Sequence, residues 1–350
     1  MNTPLFAFTP YDQSVYEREI RDFLPDRLWD VHVHLWKRED LLPVRGSSRS
    51  VDWPFRVADQ NPAEHLLETY RLLFPGKLVQ PLVFGTPQAD LEATNAYVAN
   101  AARTHGWPAL IFSHPRWSAR EFERRILEGG FLGAKSYLSL APEYLPADEI
   151  RIFDFFPPSH LDVLNRHGWL MMLHLPRAAR LRDSVNLAQL LEIEERYPHL
   201  TVIVAHVGRA YCPEDVGDAF ERLSTTQRLM FDISANTNDE VFEQALRAIG
   251  PRRLLFGSDL PILRMRMRRI CEKGRYVNLV PRGLYGDVTG DPHLREVDSP
   301  ESDRLTFFMY EEIRAFRRAA ERVGLSRDDV ERVFYANAAD RLARLGWSDG

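Results

Sequence analysis

Short apolar segments alternate with longer amphipathic segments along most of this 350-residue chain, and this alternation restricts the possible folds more than any other feature. Eight segments are typical of buried strands, because they are short, apolar on both faces, and often bounded by Gly, Pro or polar residues. The predicted strands are Leu28–Leu35, Leu78–Phe84, Ala109–Ser113, Leu132–Leu138, Trp169–Leu175, Thr201–Val207, Leu229–Ile233 and Leu254–Ser258.

Amphipathic helices are predicted between these strands, since apolar residues recur there at the spacing of one helix face. Strands that alternate with helices form parallel sheets, and eight of them favour a closed barrel over an open doubly wound sheet. We therefore predict an α/β fold, a (β/α)8 TIM barrel formed by one domain over residues 28–350, after an N-terminal extension over residues 1–27. The predicted helices are Glu64–Phe74, Leu91–Thr104, Ala119–Glu128, Leu187–Arg196, Glu214–Leu223 and Asp239–Ile249, with the extra C-terminal helices Arg304–Val323 and Arg327–Leu345.

Two segments are longer than the connections of such a barrel require. Trp36–Asp59 follows the first strand and is rich in Arg and Ser, and Arg264–Asp303 follows the eighth strand and is rich in Gly and Pro. We expect both to be extended loops. Because loops after the carboxyl ends of barrel strands surround the active site, both would shape its entrance. The alternative is that they form an interface or are poorly ordered.

Charge and cysteine content exclude several classes of protein. The net charge of -5 provides no overall attraction to nucleic acid or to an anionic membrane. No segment reaches the ~20 apolar residues of a membrane span, and the N-terminus shows no signal-peptide pattern, so a cytoplasmic location is expected. Cys212 and Cys271 are too few and too far apart in sequence for a disulfide framework or a thiolate zinc site.

Potential metal ligands stand at the carboxyl ends of several predicted strands. His32 and His34 are two residues apart on the first strand, so both imidazoles point to the same side. Each residue alone would be typical of a hydrogen-bonded core residue or a helix cap. Together, at matched positions of a parallel barrel, they would meet at one mouth and could hold a divalent ion. The others are Lys135, His174, His206 and Asp259.

These motifs resemble those of the amidohydrolase superfamily, in particular its branch of metal-dependent TIM-barrel hydrolases that also includes decarboxylases. The resemblance spans roughly residues 28–345. Its motifs are Asp30-Val31-His32-Val33-His34, His174, Tyr197–Gly208, Leu255–Pro261 and the C-terminal segment Val333–Leu342.

The resemblance implies that His32, His34, His174 and Asp259 bind one divalent metal ion, with zinc expected and manganese or iron as alternatives. In this reading the ion activates a water molecule, and Asp259 accepts the proton of that water and returns it to the leaving group. His206 would lie beside the metal and polarise the scissile group or transfer a proton.

Lys135 has two possible roles under the same resemblance. In two-metal relatives a lysine at the fourth strand is carboxylated and bridges both ions, whereas in one-metal relatives it can pair with a substrate carboxylate. The surrounding motifs favour one metal. Arg177 and Arg209 follow the fifth and sixth strands, where guanidinium groups suit an anionic substrate, and Tyr137 could line the pocket.

The expected function is hydrolysis of a small, carboxylated lactone, amide or ester. The alternatives are a metal-dependent non-oxidative decarboxylase, a sugar-acid isomerase, and a non-catalytic binding protein on the same barrel. A small molecule is the expected partner, without nucleic acid or membrane, and a homo-oligomer is possible.

Overall fold

Eight parallel strands form the centre of the protein in the computed structural model, which describes residues 5–43, 49 and 53–347. Their order along the chain follows the predicted one, and most are shorter than the apolar segments that contain them. The strands are β1 (Arg27–His34), β2 (Leu78–Phe84), β3 (Ile111–Phe112), β4 (Gly133–Lys135), β5 (Leu170–Leu173), β6 (Thr201–Val204), β7 (Met230–Asp232) and β8 (Leu254–Leu255).

Backbone hydrogen bonds connect these strands in a ring. β3 to β8 form a six-stranded parallel sheet, and β1 pairs in parallel with β2. The amide of Leu110 donates to Val83 O at 2.9 Å, which joins β2 to the start of β3. The amide of Val31 donates to Phe256 O at 3.0 Å, which joins β1 to the end of β8. Each strand therefore has two neighbours, and the predicted barrel fold is confirmed.

Helices cover the outside of the ring and begin and end at ordinary capping residues. In α5 the Ser118 side chain accepts from the Glu121 amide at 3.2 Å, and Gly130 ends the helix in the left-handed conformation. Among the described helices, none has the length and apolar character needed to cross a membrane. They are α1 (Pro10–Val15), α2 (Trp53–Val57), α3 (Ala63–Leu73), α4 (Leu91–His105), α5 (Ala119–Gly129), α6 (Ile152–Phe155), α7 (Pro158–His167), α8 (Ser184–Arg196), the helical turn α9 (His206–Arg209), α10 (Ala219–Leu223), α11 (Asp239–Ile249), α12 (Phe308–Val323), α13 (Arg327–Glu331) and α14 (Asn337–Arg344).

Two helix predictions differ from the structure. The predicted helix Glu214–Leu223 is a short 3-10 turn followed by α10, because Gly217 between them has a φ of 56° that no right-handed helix contains. The predicted helix Arg327–Leu345 is divided into α13 and α14 by a π-helical turn over Arg332–Ala336.

The segment Arg264–Asp303, predicted as a loop, contains most of a small sheet instead. β9 (Arg266–Glu272) and β10 (Arg275–Pro281) form an antiparallel hairpin, with β11 (Leu294–Val297) beside β10 and β12 (Thr306–Phe307) beside β9. We call these four strands the inserted sheet. Its Gly and Pro residues lie mainly in its turns, which is why composition alone indicated a loop. Of the other predicted loop, Trp36–Asp59, residues 44–48 and 50–52 lie outside the described part of the chain.

Contrary to the expectation from their separation in sequence, Cys212 and Cys271 form a disulfide. They are 59 residues apart in sequence, but their Cα atoms are 5.9 Å apart in space. Cys212 follows the β6 loop and Cys271 lies on β9, so the bond connects the barrel to the inserted sheet. Separation in sequence could not exclude this pair, because the inserted sheet folds back over the barrel.

Candidate metal centre

The potential ligands predicted at the strand ends all line one pocket at the carboxyl end of the barrel. They lie on or shortly after five separate strands, β1, β4, β5, β6 and β8, so only the ring of strands brings them together. The lining side chains from this set are His32, His34, Lys135, His174, His206 and Asp259.

The carboxylate of Asp259 lies where the imidazoles converge. Its Oδ1 atom is 3.5 Å from Nε2 of His32 and 3.3 Å from Nε2 of His34. Ligand atoms of His32, His206 and Asp259 all lie within 4.8 Å of one another, a spacing that could hold a metal ion. The ring of His174 lies edge-on to that of His206, with the centroids 5.5 Å apart. The group of described residues with this spacing thus includes His206, and it does not include the predicted ligands His34 and His174.

Hydrogen bonds of the Nδ1 atoms orient three of these imidazoles. Nδ1 of His32 is 2.9 Å from Asp232 Oδ2, Nδ1 of His34 is 2.7 Å from Gly85 O, and Nδ1 of His206 is 3.1 Å from Ser234 O. Since these partners are acceptors, each Nδ1 must carry the proton, and each Nε2 then presents a lone pair.

Lone pairs of His32 and His34 therefore face the anionic Oδ1 of Asp259 at contact distance. Acceptor atoms repel at such distances unless a cation lies between them. His174 adds a buried Nδ1 atom without a hydrogen bond to any described residue. Metal-binding histidines typically donate a hydrogen bond from the ring nitrogen that does not bind the metal, as Nδ1 does in His32, His34 and His206. This arrangement is typical of a histidine–carboxylate site for a divalent cation.

Asp232 and Ser234 belong to the site although the sequence analysis did not single them out. Asp232 is fully buried at the end of β7, and its Oδ1 accepts from the backbone amide of His206 at 2.9 Å. Ser234 donates its hydroxyl to the same carboxylate and accepts from Nδ1 of His206 at 2.8 Å. A carboxylate inside the apolar segment Leu229–Ile233 was the available signal.

A second buried carboxylate connects β1 to the residues before Asp259. Asp30 accepts from the backbone amide of Ser258 at 2.8 Å and from the hydroxyl of Tyr70 at 2.8 Å. Burial raises the pKa of Asp30 to about 6, although these hydrogen bonds act in the opposite direction.

Burial and neighbouring charges determine the protonation states at the centre. Burial lowers the pKa of His206 to about 4 and that of His174 well below its usual value, so both are neutral near pH 7. For Asp259 burial acts to raise the pKa, but the interactions with His34, His206 and His32 outweigh burial and hold the pKa well below the ordinary value. Neutral imidazoles beside an ionised carboxylate are the protonation states that a metal ion requires.

Lys135 is buried beneath the pocket at the end of β4. Its ammonium lies 5.6 Å from the ring centroid of Phe84, and burial lowers its pKa to about 8. The amine is therefore within reach of deprotonation near neutral pH, as carboxylation would require, and its protonated form would pair with a substrate carboxylate.

The backbone around the site adopts the left-handed conformation at several residues that are not glycine. φ is 59° at His206, 48° at Val207, 63° at Arg209 and 51° at Asp259. Such values are rare for side chains with a Cβ, and for β-branched Val207 they are exceptional. Residues in this conformation concentrate at functional sites, where the surrounding structure holds them against their cost.

The predicted substrate-binding residues divide into two groups. Tyr137 and Arg209 line the pocket, where the ring of Tyr137 lies 4.7 Å from that of His174. Nη1 of Arg209 donates to the carbonyl oxygens of residues 175, 176 and 177, at 2.9 Å in the first case. Arg177 instead forms an ion pair with Asp183 at 3.1 Å and is not among the lining residues.

Comparison with known proteins identifies the family of this chain and proteins of similar fold. The amidohydrolase family profile matches residues 29–343. No curated protein matches the chain. An amidohydrolase from Burkholderia multivorans with bound zinc is similar, at 16% identity over 90% of this chain and 99% of that chain, with a TM-score of 0.55.

Two further similar structures have more specific descriptions. A probable 2-pyrone-4,6-dicarboxylic acid hydrolase from Acinetobacter baumannii is 14% identical over 90% of this chain and 99% of that chain, with a TM-score of 0.54. A dihydroxybenzoic acid decarboxylase from a Polaromonas species, with bound manganese, is 14% identical over 91% of this chain and 97% of that chain, with a TM-score of 0.52. At these identities the likeness shows the fold.

Proposed function

Because this chain belongs to the amidohydrolase family, we propose that it is a metal-dependent hydrolase of a small carboxylated lactone, amide or ester. The observation that carries the proposal is the convergence of imidazole lone pairs on the Asp259 carboxylate inside a pocket. Without a cation these atoms would repel one another, and hydrolysis is a common use of such an ion.

His32, His34, His174 and Asp259 would hold one divalent ion, with zinc the first candidate because it favours imidazole and carboxylate ligands. A bound ion would supply Lewis-acid chemistry, polarising an oxygen atom of water or substrate. A second ion would require Lys135 to be carboxylated, since its ammonium form cannot ligate.

Proton transfer in this proposal falls to Asp259 and His206. Asp259 is ionised throughout the neutral range, so its free oxygen can accept a proton from the attacking water and return it to the leaving group. His206 is neutral and presents the Nε2 lone pair, because Ser234 holds its Nδ1 proton. The Nε2 atom of His206 can therefore accept a hydrogen bond or a proton from the substrate.

The charges in the pocket favour an anionic substrate. Among the described lining residues, Lys135, Arg209 and Arg269 are cationic, whereas Asp259 is the carboxylate. A divalent ion would add to this positive excess. Partly buried cations without matching carboxylates are costly, so a substrate anion would compensate them.

A non-oxidative decarboxylase is the second candidate, and Lys135 is the observation that favours it. A buried amine whose pKa is about 8 can bind a substrate carboxylate as ammonium or deliver a proton. In that case the bond to the carboxylate breaks and a proton replaces carbon dioxide on carbon.

The two reactions differ in their products, so one panel separates them. Metal-loaded protein would be incubated with carboxylated aromatic acids and with carboxylated lactones, amides and esters, while acid release and carbon dioxide release are measured in parallel. We expect acid release without carbon dioxide. Release of carbon dioxide would show that the protein is the lyase and not the hydrolase. Absence of turnover with every lactone, amide and ester would contradict the proposal.

Asp259→Asn tests the assigned proton transfer. We expect turnover to fall by about 10³-fold or more, because the amide is neither a comparable ligand nor a base. Circular dichroism should remain unchanged. Asp239→Asn, which alters a carboxylate of α11 paired with Arg322 at 2.7 Å, is the matched control and should retain activity. Substantial activity of Asp259→Asn would refute the mechanism.

A further inference from the structure

Arg269 of the inserted sheet reaches the pocket through a cage of aromatic rings. Its guanidinium carbon lies 4.7 Å from the ring centroid of Tyr211, 4.5 Å from that of Tyr276 and 4.6 Å from that of Phe308. Stacking on rings restricts the guanidinium plane, so its edge presents donors in a defined direction.

The hydrogen bonds of Arg269 engage only neutral acceptors. Nε donates to Asn278 Oδ1 at 2.8 Å and Nη1 donates to Ala235 O at 2.6 Å. Nη2 has no hydrogen-bond acceptor within the described part of the chain, and no carboxylate there forms an ion pair with this guanidinium. Glu312 interacts with it electrostatically, but burial raises the pKa of this carboxyl well above its ordinary value.

Arg180 provides a contrast on the same rings. Its guanidinium carbon lies 5.2 Å from the Tyr211 centroid and 5.0 Å from that of Tyr276, and it pairs with Asp215 at 2.5 Å. Arg180, which does not line the pocket, thus has a carboxylate partner. Arg269 lines the pocket and has no carboxylate partner among the described residues.

The position of Arg269 relative to the metal centre follows from the rings between them. The centroid of the Tyr211 ring is 6.5 Å from that of His206, and Arg269 stacks on Tyr211. A substrate group bound by Arg269 would therefore lie apart from the scissile bond at the metal centre. Tyr211 would lie beside the part of the substrate that connects the two.

The disulfide connects the same residues covalently. Cys212 is adjacent to Tyr211 in sequence, and Cys271 is two residues from Arg269 and pairs with Tyr276 in the β9–β10 register. The disulfide thereby links the segments that carry Tyr211 and Tyr276, two of the three rings around Arg269. Cys271 is exposed at the surface, whereas Cys212 is buried.

We propose that Arg269 is a specificity-determining residue that binds a second carboxylate of the substrate, remote from the reacting bond, and that the Cys212–Cys271 disulfide positions it. This proposal rests on the proposed function, and it narrows the substrate class to small dicarboxylates. A planar carboxylate matches the open edge of the guanidinium in a bidentate or single hydrogen-bonded pair.

Binding of matched probes to the metal-loaded protein tests the proposal without requiring turnover. The probes are benzene-1,3- and benzene-1,4-dicarboxylate, each compared with its monoamide by isothermal titration calorimetry. We expect at least one dicarboxylate to bind about 10- to 100-fold more tightly than its monoamide, as for a hydrogen bond between charged groups. Equal binding of each pair by the wild-type protein would overturn the proposal.

Variants of β9 assign the preference to one side chain. Arg269→Gln should abolish the dicarboxylate preference by lowering the affinity for the dicarboxylate to about that for its monoamide, and Arg269→Lys should restore the preference only in part. The matched control is Arg268→Gln, which alters the adjacent residue on the opposite face, paired with Glu301, and should keep the preference. Retention of the preference in Arg269→Gln would refute the role of this arginine.

The double variant Cys212→Ser with Cys271→Ser tests the positioning role. We expect it to lose roughly fivefold or more of the preference, and to have no further effect when Arg269→Gln is already present, since both changes act on one anchor. An unchanged preference would refute the role of the disulfide.

These results are independent of the reaction type. A decarboxylase with an Arg269-dependent preference would refute only the hydrolase, and a hydrolase without it would refute only the anchor.

Discussion

Replacing Asp232 with asparagine should weaken divalent-metal binding while leaving the fold intact. Asp232 is fully buried, and its two carboxylate oxygens serve different donors. Oδ2 accepts from Nδ1 of His32 at 2.9 Å, while Oδ1 accepts from the amide of His206 at 2.9 Å and from Ser234. Burial acts to raise the pKa of this carboxyl, but the electrostatic interaction and the hydrogen bond with His32 outweigh burial and lower the pKa to about 2.

An asparagine can replace only one of these oxygens as an acceptor. If its amide oxygen takes the Oδ1 position, which has more donors, its NH₂ group faces Nδ1 of His32. His32 must then give up the Nδ1 proton and carry it on Nε2, where the metal ion would bind. The substitution therefore changes the tautomer of a ligand without touching the metal itself.

The expected loss is about 10- to 100-fold in metal affinity, or ~1.4 to 2.8 kcal/mol, which is the usual effect of removing the partner of a ligating histidine. Zinc affinity would be measured by competition with a chromophoric chelator at pH 7.5. Circular dichroism and urea denaturation of the metal-free protein would establish folding.

Asp239→Asn serves here too as the control, since it removes a carboxylate at the surface of α11. Zinc affinity of Asp232→Asn within twofold of wild type would refute the tautomer reasoning. It would show that His32 keeps its orientation and proton without the carboxylate.

Three further predictions address stability and substrate binding. Glu312 is fully buried, its oxygens have no hydrogen bond to described residues, and burial raises its pKa well above 4.5. The folded state therefore retains a proton that the unfolded chain loses above about pH 4.5, so Glu312→Gln should stabilise the protein increasingly as pH rises. Urea unfolding at pH 5 and pH 8 measures this, and an equal effect at both would contradict it. Arg209→Ala should raise KM for an anionic substrate about tenfold, whereas Arg177→Ala should change it less than twofold, since that side chain pairs with a carboxylate away from the pocket lining. Equal effects in steady-state assays would refute this distinction. Gly133→Ala should lower the free energy of unfolding by about 3 kcal/mol, because a Cβ there would lie 2.0 Å from Leu170 O on the neighbouring strand; unchanged urea denaturation would contradict that spacing.

Most of the barrel could be predicted because its signals are local. Alternation of apolar and amphipathic segments depends on neighbours within a few residues, and all eight strands lie within or overlap the predicted segments. The exception is the segment Arg264–Asp303, which was predicted as a loop and contains strands. Strands β9 and β10 pair with each other over the barrel, and the Gly and Pro residues of their segment indicated a loop because their effect on local composition does not depend on this pairing.

The metal centre could be predicted in part for the same reason. His32 and His34 carry a signal in their two-residue spacing, and parallel strands bring later strand ends to the same mouth. Asp232 also carried a local signal, an acid inside an apolar strand, but its role depends on contact with His32, 200 residues away. Which imidazole nitrogen would face a bound ion could be inferred only from such contacts.

The sequence by itself determined the order of strands and helices, the barrel class and the residue types gathered at one end, because periodicity and strand-end position are local properties. Only the tertiary structure decided the tautomers at the metal centre, the caging of Arg269 and the pairing of Cys212 with Cys271. These features arise where the inserted sheet and the strand ends meet, between residues far apart in the chain, and no spacing rule relates such positions before the chain is folded.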